Sequence, residues 1–450
     1  MKVLLVAGFF PPHAPSAATR ANKLAGYLLR RGHDVRVLTA GGLPFPPVLT
    51  PEIPAERITY TDIFDINALP DRVIDTLLMR RGAAPRQDAA PATRSGDTAP
   101  PATPAASASL AARAKCGLRV MRRIYQNATN LPDAHIGWLP HAVRAGRRLI
   151  DDWRPDVIYS SAPPQTTSIV AHALGRRTGV PWIGEFRDLW VDHPYYDEPA
   201  WRRWIETRWE RRVLGTARAL VTVTEPWSVI LREKYGKPTA LVMNGFDPAD
   251  FPDQPLAPTS GRDRVTIVYT GTLYRDVRDP GPLFAAVAAL GPTAAPVRIR
   301  FYGSDLGYAR ELTAKYDIAA NVEINAPIPY GEAVMAQRGA DVLLLLRWNN
   351  PGEKTVVAGK LFEYFGARRP ILSVGCEDGV AADLIRSRGA GLVSNDPRTI
   401  ADQLQKWIAL KRDAGAIRAN PSSVRDGFSR EDQFAILERF LEDQIALPAR

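Results

Sequence analysis

One local pattern recurs along the chain: an apolar run of strand length, a loop, an amphipathic stretch of helix length, then another apolar run. The first run covers Lys2 to Phe10; after a Pro-containing loop a helix is expected from about Ala17 to Arg31, closed by Gly32, with the next strand at Asp34 to Leu38. A run with no polar alternation is what a parallel strand covered on both faces requires. The helix is then the crossover between two parallel neighbours. The pattern returns at Asp156 to Ser160, a helix from Gln165 to Arg177 stopped by Gly179, a strand through Trp182 to Gly184, and Ala219 to Val223 followed by a helix from Pro226 to Lys234. A second series has strands at Val265 to Tyr269, Val297 to Phe301, Asp341 to Leu345 and Pro370 to Val374. The expected fold class is therefore α/β, with two Rossmann-like doubly wound domains, 1–250 and 262–427, facing a cleft. Asp250 to Arg262, rich in Pro, Asp and Ser, reads as the linker, and Phe428 to Leu447 as a final amphipathic helix.

The chain has 450 residues and a formal charge of +10, from 58 Lys and Arg against 48 Asp and Glu. That balance favours a phosphate-bearing partner or an anionic membrane surface. No zinc-finger spacing supports nucleic acid, which is not expected as a partner. The two cysteines, Cys116 and Cys376, are too far apart in sequence for a disulfide framework, and a reducing cytoplasm is the expected compartment. No run approaches the roughly 20 apolar residues of a membrane span. The Ala/Pro/Thr/Ser tract at 83–109 reads as an unstructured insertion. The basic segment that follows, 110–125, includes Arg113, Lys115, Arg119, Arg122 and Arg123 beside Leu118, Met121 and Tyr125. It reads either as a helix resting on anionic lipid, which would make the protein peripheral on the inner face of a membrane, or as a surface helix packed on the sheet. From Trp201 to Arg212 tryptophans and arginines alternate, and the expectation is a helix with its tryptophans on the core and its arginines outward.

Strand C-terminal ends and helix N-termini suit a nucleotide-linked ligand. The six histidines are scattered and no Asp-x-Asp pair occurs, so no metal is expected. Neither a Gly-x-Ser-x-Gly elbow nor a Walker loop is present, and the first loop, Pro11 to Arg20, lacks the glycines of a dinucleotide fingerprint. The most informative segment runs from Pro351 to Tyr364. Gly359 and Lys360 would open a helix whose free amides and positive end suit a diphosphate, with the Lys360 ammonium added. Glu363, on the same face as Lys360, could accept hydrogen bonds from sugar or ribose hydroxyls, or simply pair with Lys360 on a solvated helix. Leu361, Phe362 and Phe365 would turn to the core. Arg187 and Asp188 follow a strand, where they could touch the acceptor or the transferring sugar, or form a buried pair fixing the loop. Asn244-Gly245 is a turn-forming pair.

These segments, together with Tyr269-Thr270-Gly271-Thr272-Leu273, Ala340-Asp341-Val342 and Arg31-Gly32-His33-Asp34-Val35, resemble the retaining glycosyltransferases of family 4, whose fold is the two-domain GT-B type. The chain is similar in particular to the bacterial branch that builds cell-surface polysaccharides. The resemblance implies a second domain that holds a nucleoside diphosphate sugar, with no further cofactor, and a first domain that holds an acceptor sugar or lipid-linked glycan. Glu363 matches the second glutamate of the family's paired-glutamate motif, which binds the ribose; Thr355 stands at the place of the first. Gly271 lies in the turn beside the donor, and Arg275 or Arg278 would face its phosphates. Asn244 matches a hinge or donor-edge motif. The family's glycine pair in the first loop is Ser16-Ala17 here, leaving Thr19 and Arg20 as acceptor contacts. The resemblance also implies that the final helix crosses back onto the first domain. The alternative is a two-domain sugar- or nucleotide-binding protein without catalysis.

Overall fold

The computed structural model describes residues 1–12, 16–45, 47–68, 125–252, 261 and 263–448. The expected insertion at 83–109, the basic segment apart from Tyr125, and most of the expected linker lie outside the described residues. The described chain divides into two compact units: Met1–Thr222 with Ser228–Ala240 and Glu438–Arg450, and Val223–Trp227 with Leu241–Leu437.

The N-terminal unit holds seven strands: β1 (Lys2–Ala7), β2 (Asp34–Ala40), β3 (Ile58–Thr61), β4 (Val157–Ala162), β5 (Trp182–Phe186), β6 (Ala219–Thr222) and β7 (Thr239–Leu241). They form one sheet in the order β3-β2-β1-β4-β5-β6-β7. Every position of β4, β5 and β6 is buried, as the apolar runs demanded. The helices are α1 (Ser16–Arg30), α2 (Leu139–Trp153), α3 (Thr166–Thr178), α4 (Ala200–Leu214) and, from Ser228 on, α5 (Glu225–Tyr235), whose first residues to Trp227 belong to the C-terminal unit. From β1 the chain steps to β2 on one side, and from β3 it returns to β4 on the other. Right-handed crossovers therefore put α1 on one face of the sheet and α2, α3 and α4 on the opposite face. Gly179 ends α3 with a φ of 76°, a left-handed conformation that costs glycine nothing.

The C-terminal unit repeats the plan with β8 (Val265–Thr270), β9 (Val297–Tyr302), β10 (Val322–Asn325), β11 (Val342–Leu346), β12 (Ile371–Val374) and β13 (Gly391–Val393), in the order β10-β9-β8-β11-β12-β13. Its helices are α6 (Gly281–Leu290), α7 (Gly307–Lys315), α8 (Tyr330–Gly339), α9 (Gly359–Ala367), α10 (Val380–Ser387) and α11 (Pro397–Ala414). Leu361, Phe362 and Phe365 of α9 are buried with Phe251 and Phe428 on one side of this sheet, as expected, while Leu283, Phe284 and Trp407 build the core on the other. In both sheets the order reverses between an early strand and its inner neighbour, β1 beside β4 and β8 beside β11, which opens a crevice at the strands' C-terminal ends.

The last helix, α12 (Arg430–Ala446), belongs to the C-terminal unit as far as Leu437 and to the N-terminal unit from Glu438. Glu438 anchors that end by accepting hydrogen bonds from Tyr27 Oη (2.7 Å) and from Arg31 Nε (3.2 Å), with His33 Nε2 at 2.7 Å.

Two sequence expectations are corrected. Asn244-Gly245 is not a turn: next to it Phe246 N donates to the Phe428 carbonyl (3.1 Å) and Arg430 N donates to the Phe246 carbonyl (2.8 Å), an isolated bridge to the stretch that leads into α12. Gly245 is required there because a Cβ would meet the main chain of Phe428 to Arg430. In α4 the arginines Arg203, Arg208, Arg211 and Arg212 point outward as expected, but the tryptophans do not cover the core: Trp201, Trp204 and Trp209 are exposed while Arg202, Glu206 and Glu210 are buried. The inner charges are mutually satisfied, with Arg202 Nε 2.6 Å from Glu206 and Lys234 2.7 Å from Glu210, so the helix is oriented by ion pairs and not by its aromatics.

Candidate functional site

Most of the donor candidates lie in the C-terminal unit, at the reversal between β8 and β11. Beyond β8 the chain turns at Gly271, whose φ is 134° and whose amide donates to the Tyr302 carbonyl (2.7 Å). No side chain fits this turn: a Cβ on Gly271 would collide with Lys360 Nζ, and one on Gly303 would overlap the Gly271 carbonyl. Backbone from two strands is thus closely apposed beneath a lysine. Gly303→Ala must displace this backbone. It should destabilise the unit by about 1–3 kcal/mol and weaken nucleotide binding, as thermal denaturation with and without ligand would show.

Lys360 is the second residue of α9. The cap residue, Ala358, supplies no side-chain hydrogen bond, and the first turn has no acidic residue, so the positive helix end is left open. The Lys360 ammonium stands 4.8 Å from the Tyr269 ring centroid and has no carboxylate in ion-pair contact among the described residues. Burial against this ring and turn, then repulsion from Arg278, partly offset by Glu363, pull its pKa down to about 7. A cation held in such surroundings is stabilised by an incoming anion. Glu363, one turn on, is half-buried and is held by Gln337 Nε2 (3.1 Å), which also donates to Thr270 Oγ1 (3.1 Å). The structure thus brings together Gly271, Arg278, Gly359, Lys360 and Glu363.

The remaining candidates of this unit lie differently. Arg278 is half-buried over Tyr274, 5.4 Å from its ring centroid. Arg275 is exposed and paired with Glu311 at 2.5 Å. Thr355 closes a short 3-10 helix, Pro351–Thr355, and its hydroxyl accepts from Trp227 Nε1 (3.0 Å) while donating to the Gly352 carbonyl (3.3 Å). Trp227 had no sequence signal of its own. Asn244 is half-buried, two residues before Phe246.

In the N-terminal unit the strand ends carry a polar cluster. Glu185, at 0% exposure, receives Arg20 Nε (2.8 Å) and Ser161 Oγ (2.5 Å). Burial alone would raise its pKa, but Arg20 and Arg187 together hold it below the usual carboxylate range. Glu185 is the hub of the cluster, though the sequence drew attention to its neighbours. Arg187 donates to the carbonyls of Ala162 (3.2 Å), Ala17 (3.1 Å) and Pro163 (3.0 Å), tying three loop positions together. Asp188 is half-buried with His193 Nε2 at 3.5 Å; burial raises its pKa, and His193 and Arg187 together bring it below the usual carboxylate range. Thr19 is half-buried on the first turn of α1, one residue before Arg20. Among the described residues a grouping able to hold a metal is His33, Glu438 and Glu442, but Glu438 is already engaged in anchoring α12.

A family model described as a glycosyl transferase 4-like domain matches residues 17–245. No curated protein matches the sequence. Among solved structures, sucrose-phosphate synthase from Thermosynechococcus elongatus is similar over 99% of each chain, with a TM-score of 0.63 at 14% identity. Anabaena HepE in complex with UDP is similar over 98% of this chain and all of its own (100%), with a TM-score of 0.60 at 11% identity, and it is also known with UDP-glucose. The lipopolysaccharide outer core galactosyltransferase WaaB covers 99% of this chain and 100% of its own, with a TM-score of 0.56 at 11% identity. At these identities the likeness shows the fold, two Rossmann-like domains of the GT-B type.

Proposed function

The chain belongs to the glycosyl transferase 4-like family, and from that premise we propose that it is a retaining, metal-independent transferase. It moves a sugar from a nucleoside diphosphate sugar to an acceptor hydroxyl in the assembly of a cell-surface polysaccharide or glycolipid. The observation that carries the donor half of this reading is Lys360: an ammonium over a glycine turn, beside an open helix N-terminus, with Arg278 close enough to depress its pKa.

As the glycosidic bond breaks, negative charge grows on the departing diphosphate. Fixed cations and free amides placed beforehand stabilise that charge without reorganising. Lys360, Arg278 and the first amides of α9 are the groups proposed for this, and they remove the need for a divalent ion. Glu363, held by Gln337, would accept from the ribose hydroxyls. The uridine nucleotides bound by HepE support a UDP-sugar as the first donor to try. Retention of configuration and the polysaccharide role rest on the family resemblance. We assign the acceptor, a sugar or lipid-linked glycan, to the N-terminal unit, where Asp188 after β5 and Thr19 on the first turn of α1 keep partial exposure. The cytoplasm is the proposed compartment, on the strength of the two widely separated cysteines.

Nucleotide binding without transfer is a second reading, favoured by Thr355: a hydroxyl bonded to Trp227 stands where the resemblance expects a carboxylate for the donor sugar. Thermal denaturation with UDP, GDP and ADP tests the donor half common to both. One nucleotide should raise the melting temperature of the parent and do so much less for Glu363→Ala; no shift with any of them would remove both readings.

A further inference from the structure

We propose that the outer face of α2, α3 and α4 on the N-terminal unit docks on an anionic lipid bilayer, with Trp201 and Trp204 entering the interfacial layer and the arginines around them resting on lipid phosphates. This surface belongs to the N-terminal unit and the donor candidates to the C-terminal unit, and the inference does not depend on the donor reading.

The first observation is the outward tryptophans of α4. Trp201 is 48% exposed, Trp204 63% and Trp209 39%, while the same helix buries Arg202, Glu206 and Glu210. Arg202 donates to Glu206 (2.6 Å) and to the carbonyls of Asn130 (2.7 Å) and Pro132 (2.9 Å); Glu206 accepts from Trp190 Nε1 (2.8 Å); Glu210 accepts from Lys234 (2.7 Å). Rotating the helix to hide the tryptophans would strand these charges. The exposed aromatics are therefore a fixed feature of the surface.

The second observation is charge. Both carboxylates of α4 face inward, while Arg203, Arg208, Arg211 and Arg212 are exposed. Trp201, Trp204, Arg208 and Arg212 share one face at helical spacing, and the Arg208 guanidinium lies 5.1 Å from the Trp204 ring centroid. The basic surface continues across the neighbouring helices, because α2 packs on α3 and α3 on α4 on the same side of the sheet. Arg144, Arg147 and Arg148 of α2 and Arg177 of α3, against the single carboxylate of Asp151, border a groove of about 630 Å³ whose apolar lining includes Val143 and Ala173. None of those four arginines has a hydrogen bond or ion pair among the described residues. Arg176 of α3 and Arg212 of α4 both act on His172, so the two basic areas adjoin.

Tryptophan rings backed by guanidinium groups match the layer where acyl chains meet phosphates. A second copy of the same face would bring like charges together, which disfavours self-association.

The test uses the full chain and vesicles of phosphatidylcholine with and without phosphatidylglycerol. The parent should sediment with the anionic vesicles only, release as salt rises, and show a blue shift of tryptophan emission. Arg208→Glu/Arg212→Glu and Arg147→Glu/Arg148→Glu should each weaken binding about tenfold or more, and Trp201→Ser/Trp204→Ser should lose most of the blue shift. Each variant should keep the parent's melting temperature and its nucleotide-induced rise, which separates this proposal from the donor reading. The proposal is overturned if the parent ignores lipid charge or does not bind, or if the folded variants bind like the parent. It is equally overturned if the variants instead dissolve a parent dimer, or if the parent prefers a single-stranded oligonucleotide to the vesicles.

Discussion

Lys360→Met should lower kcat/KM for the sugar-nucleotide donor by about 10²–10³-fold while leaving the melting temperature unchanged or higher. The two halves of this result have one cause. In the free protein the ammonium sits against Tyr269 and near Arg278, and its pKa falls to about 7, so the fold bears a cost for the charge. A bound diphosphate reverses that cost. In the unfolded chain lysine titrates near 10.4, so the unfolded state holds more protons than the folded state between about pH 7 and 10, and stability rises with pH over that window. The stability gain of the methionine variant should accordingly be largest below pH 7 and shrink above it. Donor binding should run the other way, its affinity falling about tenfold per pH unit above 7 as the ammonium must be reprotonated. Calorimetry at pH 8 in buffers of different ionisation enthalpy should register uptake of nearly one proton, and none near pH 7 or above for Lys360→Met.

Arg20→Met should destabilise the N-terminal unit by about 3–5 kcal/mol. Glu185 is fully buried, and Arg20, 7% exposed, is its charged hydrogen-bond partner at 2.8 Å. Removing the guanidinium leaves a carboxylate with Ser161 and the more distant Arg187 field as its support. The parent's carboxylate has a lowered pKa, so its stabilising contribution is present above the unfolded value and is lost as pH falls through the folded one. In the variant that carboxyl prefers its proton, and the melting temperature should improve on acidification instead. Glu185→Gln added to Arg20→Met should recover most of the loss, because a neutral amide no longer needs a cation. An Arg20 that touches acceptor and does nothing else would leave melting unchanged and raise only the acceptor KM.

The inner strands were legible because continuous apolar runs have few other uses in a chain of this length. The outermost strands, β3, β7, β10 and β13, were not. They contain three or four residues each, and their partly exposed positions blur the pattern that marked β1, β4 and β8. Lys360 and Glu363 could be placed on a helix start from spacing alone, since Gly359 follows an extended segment and Leu361, Phe362 and Phe365 fix the inward face. What spacing could not show is that the Lys360 ammonium lies over Gly271, about ninety residues earlier in the chain. The same limit hid the Trp227 bond to Thr355 and the Arg20 bond to Glu185. In α4 the hydrophobicity of tryptophan pointed to the wrong face, because the buried Arg202–Glu206 and Lys234–Glu210 ion pairs, with hydrogen bonds to the Asn130 carbonyl and from Trp190 Nε1, outweigh it, and Asn130, Trp190 and Lys234 all lie outside the helix in sequence.

The most direct measurement is release of nucleoside diphosphate from UDP-, GDP- and ADP-sugars by the full chain in the presence of EDTA, with Glu363→Ala and Lys360→Ala beside the parent. One sugar nucleotide should stabilise the parent and turn over undiminished by the chelator, with both variants folded and at least about 10²-fold slower. Turnover that needs a divalent ion, variants as active as the parent, or no response to any sugar nucleotide would contradict a metal-independent donor site built on Lys360 and Glu363.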